Sequence, residues 1–290
     1  LRRLGQAARA GPHVIERGAS VPADGWGRRP GWVSLAGHQI GGLGGALVLI
    51  VALELLTRFE VLPSRYLPPP SVVIERLVRL LAEAIVWQAI GLTLLAWFLG
   101  LLIATAVAVP AGLVLGTSEL AYRATRTIVE FLRPIPSVAL IPVVFLVFRP
   151  GSLEGTVFLA AFAATWPLLV QVIYGVRALN PVQMATARSF QIGRIPTFLR
   201  VMLPGATPYI ATGLRISSTV ALILVVTGQI IMGAPGIGLE INRAREGSDV
   251  ALMYAYVIIA GVLGLLLNTL FARLERRALH WHPSQRTVAR

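Results

Sequence analysis

The sequence predicts an all-α, polytopic membrane protein with six transmembrane helices. Three observations carry that prediction. Hydrophobic residues make up 56% of the chain and charged residues only 13%, about half the charged share of a soluble domain. The mean hydropathy is +0.73. Apolar runs of the length needed to cross a bilayer as a helix, about 20 residues, recur six times.

Residues 1–37 are rich in Gly, Pro and Arg and bury too little apolar surface to pack, so a mobile tail is expected. The crossings are expected over 38–57, 88–116, 127–148, 154–176, 207–232 and 251–273, within a membrane domain of 38–282. Residues 283–290 form a second tail. The second crossing is long enough to tilt or protrude. The third contains Pro134, Pro136 and Pro142. Proline removes a backbone donor and breaks the helix, which a membrane tolerates where neighbouring helices or a wet cavity satisfy the freed carbonyls.

Two connections have structure of their own. In 58–87, Val72, Val73, Leu77, Leu80 and Leu81 recur at helical spacing after a rigid Pro run. A short helix on the outer membrane surface is expected there. The segment 233–250 is Gly-rich and then polar, as in a loop or short re-entrant element.

The formal net charge is +13, and all 26 basic residues are Arg. They concentrate in segments that share one side of the membrane with the N-terminus. By the positive-inside bias both termini are cytoplasmic. The charge is therefore read as orientation and lipid contact, not as nucleic-acid binding. With no Cys, disulfides and thiolate chemistry are excluded. His13, His38, His280 and His282 form no metal-ligand spacing. "GLGG" at 42–45 lacks the Lys-Ser/Thr of a phosphate-binding loop. No catalytic or metal-binding residues and no cofactor are assigned to this chain, which is not expected to hydrolyse ATP itself.

The segment 181–204 cannot lie in a bilayer. Asn180 can cap and Pro181 start a helix over 182–190. A bend follows at Gln191 to Gly193. A second helical piece is expected over 194–202, closed by Leu203-Pro204. Basic on one side and apolar at Phe190, Phe198 and Leu199, the segment makes either a docking knob or a loop on anionic lipid.

This segment resembles the cytoplasmic coupling loop of ABC importer permeases, whose pattern is Glu-Ala-Ala, three residues, Gly, a spacer and Leu-Pro. Aligned on Leu203-Pro204, only Ala187 and the Leu-Pro match. Ala185 stands at the motif Glu and Gln191 at the motif Gly, with Gly193 two residues on. "RPIPSVALIPVV" (133–144), "LPGATPYIATGLRIS" (203–217), "LERRALHW" (274–281) and "YLPPPSVVIERL" (66–77) resemble the nitrate, taurine and alkanesulfonate permease group. That group usually has Glu where this chain has Gln229, and often Arg where it has Ala96.

The resemblance implies a type I ABC importer permease in a bacterial inner membrane. It moves a small, anionic solute inward by alternating access. Its implied partners are ATPase subunits that hold ATP and Mg, a second permease subunit, identical or related, and an extracytoplasmic solute-binding protein. Ala185, Ala187, Arg188, Ser189, Gln191, Gly193, Arg194, Leu203 and Pro204 carry the coupling.

Polar residues within spans are pathway candidates. They are Arg133, Pro136, Gln171, Arg215 and Gln229. Arg133 can instead pair with Glu130, three residues away. Gln171 and Gln229 either line a route or join helices. Arg215 either snorkels or attracts an anion. Ser217, Ser218 and Thr219 are read as packing residues. Two other functions remain open from the residues alone. One is a stand-alone channel or an ion-coupled carrier, which would bury acidic residues where only Glu54 stands isolated. The other is a membrane scaffold that recruits a soluble partner through 184–204.

Overall fold

A computed structural model describes residues 35–179 and 181–279. The tail over 1–34, the cap Asn180 and the tail over 283–290 lie outside the described residues. All described elements are helical. They are α1 (Leu35–Arg58), α2 (Pro70–Leu81), α3 (Ala84–Thr117), α4 (Glu119–Leu132), α5 (Ile141–Val147), α6 (Leu153–Arg177), α7 (Pro181–Ser189), α8 (Arg194–Thr197), α9 (Leu203–Met232), α10 (Ile237–Glu246) and α11 (Val250–Ala278).

The chain divides into two units, Leu1–Ala52 and Leu53–Arg290. The described part of the first is the start of α1. The second is a helix bundle built on α3, α6 and α9. Its core follows from a repeat in α3. Ala96, Gly100, Ala104, Ala108, Gly112 and Gly116 recur every fourth residue, so they form one stripe of small side chains. Ala96, Ala104 and Ala108 are fully buried. A Cβ placed on Gly100 would lie 2.8 Å from Ala160 Cβ, and one on Gly112 2.6 Å from Val172 Cβ. The two backbones therefore meet almost directly, the packing small residues permit between membrane helices.

Among the described residues, four helical runs are long and apolar enough to cross a membrane: α3, α6, Ile195–Met232 and α11. The third expected crossing is broken. α4 and the segment Ser137–Val147 meet at 84°. Pro136 is extended at the break (φ −60°, ψ 113°), and a 3₁₀ turn, Ser137–Leu140, leads into α5. Counted as one span, the pair brings the crossings to five. α1, a 24-residue helix, lies over the remaining expected crossing.

The expected helix over 194–202 is not a separate piece. α8 runs through a π turn, Phe198–Met202, into α9, so Leu203-Pro204 opens the long helix instead of closing a short one. Pro204 has no N–H and its ring would crowd the Arg200 carbonyl in a regular helix. The wider turn, with Leu203 N donating to Phe198 O, makes room for it.

At the opposite end, the helix expected over 58–87 packs on protein. Leu80 is 1% exposed, in a cluster with Val86, Ala89, Ile237, Ala255 and Tyr256. Arg76 reaches Asp249 at 3.0 Å, and Asp249 also caps α11 by accepting from Leu252 N. The connection 233–250 folds as α10 on the ends of α9 and α11.

Gly112→Leu is expected to destabilise the bundle by about 1–3 kcal/mol, the usual cost of overpacking. A lowered thermal midpoint of the detergent-purified protein checks this.

Candidate functional site

Two regions hold the candidate residues: the turn after α7, and the broken helix with its neighbours. α7 begins at Pro181, where a missing N–H costs nothing. It ends in a Schellman turn: Gln191 N donates to Arg188 O at 2.9 Å and Ile192 N to Ala187 O at 3.0 Å. That turn requires a left-handed residue, and Gln191 supplies it with φ 52°. Glycine would take this conformation without penalty. Gly193 has no positive φ, so it does not stand in for the missing glycine. The backbone keeps the turn although the side chain departs from the motif.

Ala187, the matched alanine, is buried at 4% exposure, whereas Ala185, Arg188 and Ser189 are exposed. Ala185 and Arg188 border a crevice of about 330 Å³, with Gly116, Val176 and Leu179 on its other side. A Glu at 185 would extend into that space. A second crevice, about 480 Å³, lies between α7 and the start of α9, lined by Thr186, Ala187, Arg200 and Pro204. Val182, Phe190, Ile195 and Leu199 are exposed apolar residues around the turn, Phe190 at 76%. The Arg194 side chain lies outside the described residues. A connection that sequence inspection missed anchors this region. Arg177, the last residue of α6, donates to Glu119 at 2.9 Å and lies 3.6 Å from the Tyr122 ring centroid.

The pathway candidates do not converge on one point. Arg133 caps α4 and is exposed. The expected Glu130–Arg133 pair is absent, because Glu130 takes Arg126 Nε at 2.6 Å, the four-residue spacing that places both on one face. Pro136 is at the break, also exposed. Gln171 is half-buried and packs on α9, with Cβ 2.9 Å from where a Gly213 Cβ would be. Arg215 pairs with Glu275 of α11 at 3.5 Å, and Thr212 Oγ1 donates to the same carboxylate at 3.1 Å. Glu54 is not isolated: it accepts from Arg58 at 2.6 Å and from Ser71 N and Oγ at 2.9 and 2.7 Å.

Gln229 is fully buried. Its Oε1 accepts from Thr93 Oγ1 and Gly238 N, both at 3.1 Å, and its Nε2 donates to Pro235 O at 3.3 Å. Thr93 Oγ1 in turn accepts from Ile237 N at 3.0 Å. One amide thus ties α3, α9 and the start of α10 together. Its Nε2 bond needs a donor, which a carboxylate lacks. Ser217 and Ser218 are buried packing residues. Ser217 Oγ donates to Ala164 O at 2.8 Å, and Ser218 O accepts from Trp97 Nε1 at 3.0 Å.

A bundle of long apolar helices, with an exposed apolar and basic turn at one end, defines a multi-pass membrane transport subunit. Residues 108–280 match the family described as binding-protein-dependent transport system inner membrane component, and the chain belongs to that family. It is a permease subunit of an ABC importer, a non-catalytic inner-membrane component whose ATPase is a separate subunit. Such permeases work with ATPase and substrate-binding partners in general. The chain is similar to the taurine transport system permease protein TauC of Escherichia coli, 28% identical over 247 residues, 83% of this chain and 89% of that protein. It is also similar to the nitrate import permease protein NrtB of Leptolyngbya laminosa, 29% identical over 197 residues, 68% and 70% of the two chains. The bicarbonate transport system permease protein CmpB of Synechococcus elongatus is 30% identical over 198 residues, again 68% and 70%. Among solved structures, a chain of the inward-facing MetNI methionine ABC transporter has the same fold. The TM-score is 0.59 at 18% identity, covering 68% of this chain and 99% of that one. A chain of a bacterial ABC transporter involved in alginate import gives 0.58 at 18%, covering 83% and 98%.

Gln191→Gly should stabilise the turn after α7 by about 1 kcal/mol, because a left-handed non-glycine residue costs roughly that much. Slower hydrogen exchange at Ile192 is the readout. Gln229→Leu leaves buried Gly238 N–H without an acceptor and should cost about 1–3 kcal/mol, seen as a lower thermal midpoint.

Proposed function

We propose that this permease imports a small anion of the nitrate, sulfonate, taurine or bicarbonate kind, with both termini in the cytoplasm. α7 and the turn after it dock on the ATPase. The observation that carries this reading is the exposed cluster of Val182, Phe190 and Ile195 beside Arg188, on a turn whose backbone is fixed by the two Schellman bonds. Water-exposed apolar groups on a rigid, basic element fit a protein cleft better than a free surface. Ala185, Ala187, Ser189, Gly193 and Arg194 belong to the same element, and Leu203-Pro204 joins it to α9. ATP and Mg reside on the partner.

Motion at α7 reaches the bundle by two routes. One runs along the continuous helix Ile195–Met232. The other runs from Arg177 to Glu119 and so to the broken span. Alternating access requires that nucleotide binding favour one packing of these helices over another. Within this scheme the break carrying Arg133 and Pro136 lines the pathway. Gln171, Arg215 and Gln229 hold its walls together. The pairing of Glu54 and Glu275 with arginines leaves neither acid free for the proton coupling that an ion-driven carrier would use.

Ala185 and Gln191 further suggest that the second permease subunit is a related chain that keeps the Glu and Gly. Mass measurement of the native complex tests this, and two copies of one permease species would refute it. Docking is tested by Arg188→Glu with Phe190→Ala. The double variant should insert normally, fail to retain the ATPase in pull-down and lose uptake. Undiminished ATPase retention would overturn the docking role of α7.

A further inference from the structure

The geometry points to a transit site for a small oxyanion at the break between α4 and α5, with Arg133 as its charged anchor. This inference rests on the import of an anion, and adds where and by which groups the anion is held.

The break lies near the middle of the bundle. Glu119 and Tyr122, early in α4, meet Arg177 at the end of α6. On the other side of the break, Val144 Cγ1 lies 2.9 Å from where a Gly155 Cβ would be, and Ile141 and Val144 pack with Leu159 and Ala163. The broken span therefore runs antiparallel to α6. Its interruption falls opposite the middle of that 25-residue helix. A charge within a spanning segment is costly unless it has a partner or a wet cavity.

Arg133 has the cavity. A space of about 100 Å³ between α4 and α6 is lined by Tyr122, Thr125, Arg126, Glu130 and Arg133, with Val170 and Ile173 as its apolar wall. That volume holds several water-sized groups. Arg126 and Glu130 neutralise each other at 2.6 Å. Among the described residues no carboxylate pairs with Arg133, so the cavity keeps one net positive charge. Thr125 Oγ1 donates to Ala121 O at 2.8 Å, so its proton is committed, and Arg133 is the lining cation without a carboxylate partner. Arg215, the other cation considered for this role, is already held by Glu275.

A second observation stands apart from the charge. The indole N–H of Trp166 is buried and has no acceptor. Trp166 is on the same face of α6 as Val170 and Ile173, one turn nearer the break. Trp166 does not line the cavity itself; one turn from Val170, it is an intrinsic reporter of what enters there. The Arg133 guanidinium, with its planar fork of donors, suits the oxygens of a trigonal or tetrahedral anion.

The test is equilibrium binding of nitrate, methanesulfonate and bicarbonate to the intact permease–ATPase complex in phosphatidylcholine nanodiscs, read by tryptophan fluorescence. The wild type should respond saturably to at least one anion. Arg133→Gln should raise the Kd about ten- to hundredfold, as loss of one charge-assisted hydrogen bond predicts. Arg133→Lys should recover most of the affinity, and Arg276→Gln, on the last turn of α11, should change nothing. Trp166→Phe should remove most of the signal. No saturable response in the wild type, or an unchanged Kd in Arg133→Gln, overturns the site. So does competition by added phosphatidylglycerol, which would assign the cavity to a lipid phosphate. Failure of the complex to retain the ATPase would instead count against the docking reading, whatever the anion result.

Discussion

The structure depends on the close approach of α3 to α6. In a bilayer, apolar side chains gain little by leaving lipid for one another, so helix association rests on dispersion contacts and on the few polar bonds that cross between helices. The stripe from Ala96 to Gly116 lets two backbones come close enough to make those contacts along almost the whole span. α9 completes the core from the other face, with Gly213 admitting Gln171. What surrounds this core can then be less regular. α4 buries no residue fully, and the span it begins is interrupted. A rigid three-helix core beside a broken, loosely packed span gives a transporter a frame and an element free to move against it.

Polar groups are placed where they fix the ends of that frame. At one end, a single amide and a threonine hydroxyl satisfy the backbone donors that open α10, and a carboxylate both caps α11 and holds α2. At the other, Arg177 joins the end of α6 to the start of α4, four residues before the chain enters α7. In the proposed docking, a push on α7 would reach the broken span through this charged and aromatic contact, and α9 through its π turn. Exposed ion pairs contribute little to stability. The value of the Arg177 contact lies in the two elements it connects.

The turn after α7 separates what a motif states from what it requires. The motif's glycine marks a left-handed residue that ends a helix. Gln191 occupies that conformation at some cost, and the two capping bonds persist. The motif's glutamate has no such substitute: Ala185 leaves a crevice open. The first departure is absorbed by the backbone, whereas the second leaves a crevice between α7 and the ends of α3 and α6.

Hydropathy alone determined that the chain is a helical membrane bundle, because a segment of about 20 apolar residues has no other low-energy form in lipid. It also placed α2, the broken third span and the helix at 181–189, each through local rules of spacing or proline chemistry. The stripe in α3 was present in the sequence as a four-residue repeat of small side chains, yet its partner on α6 was not. Tertiary structure decided the pairings. Glu130 turns to Arg126 and away from Arg133, Glu275 meets Arg215 from 60 residues away, and Gln229 closes on Thr93 and α10. Such choices depend on which faces of distant helices come together. Periodicity reports only that a face exists, so the position of an uncompensated arginine beside a cavity became visible only once the helices were packed.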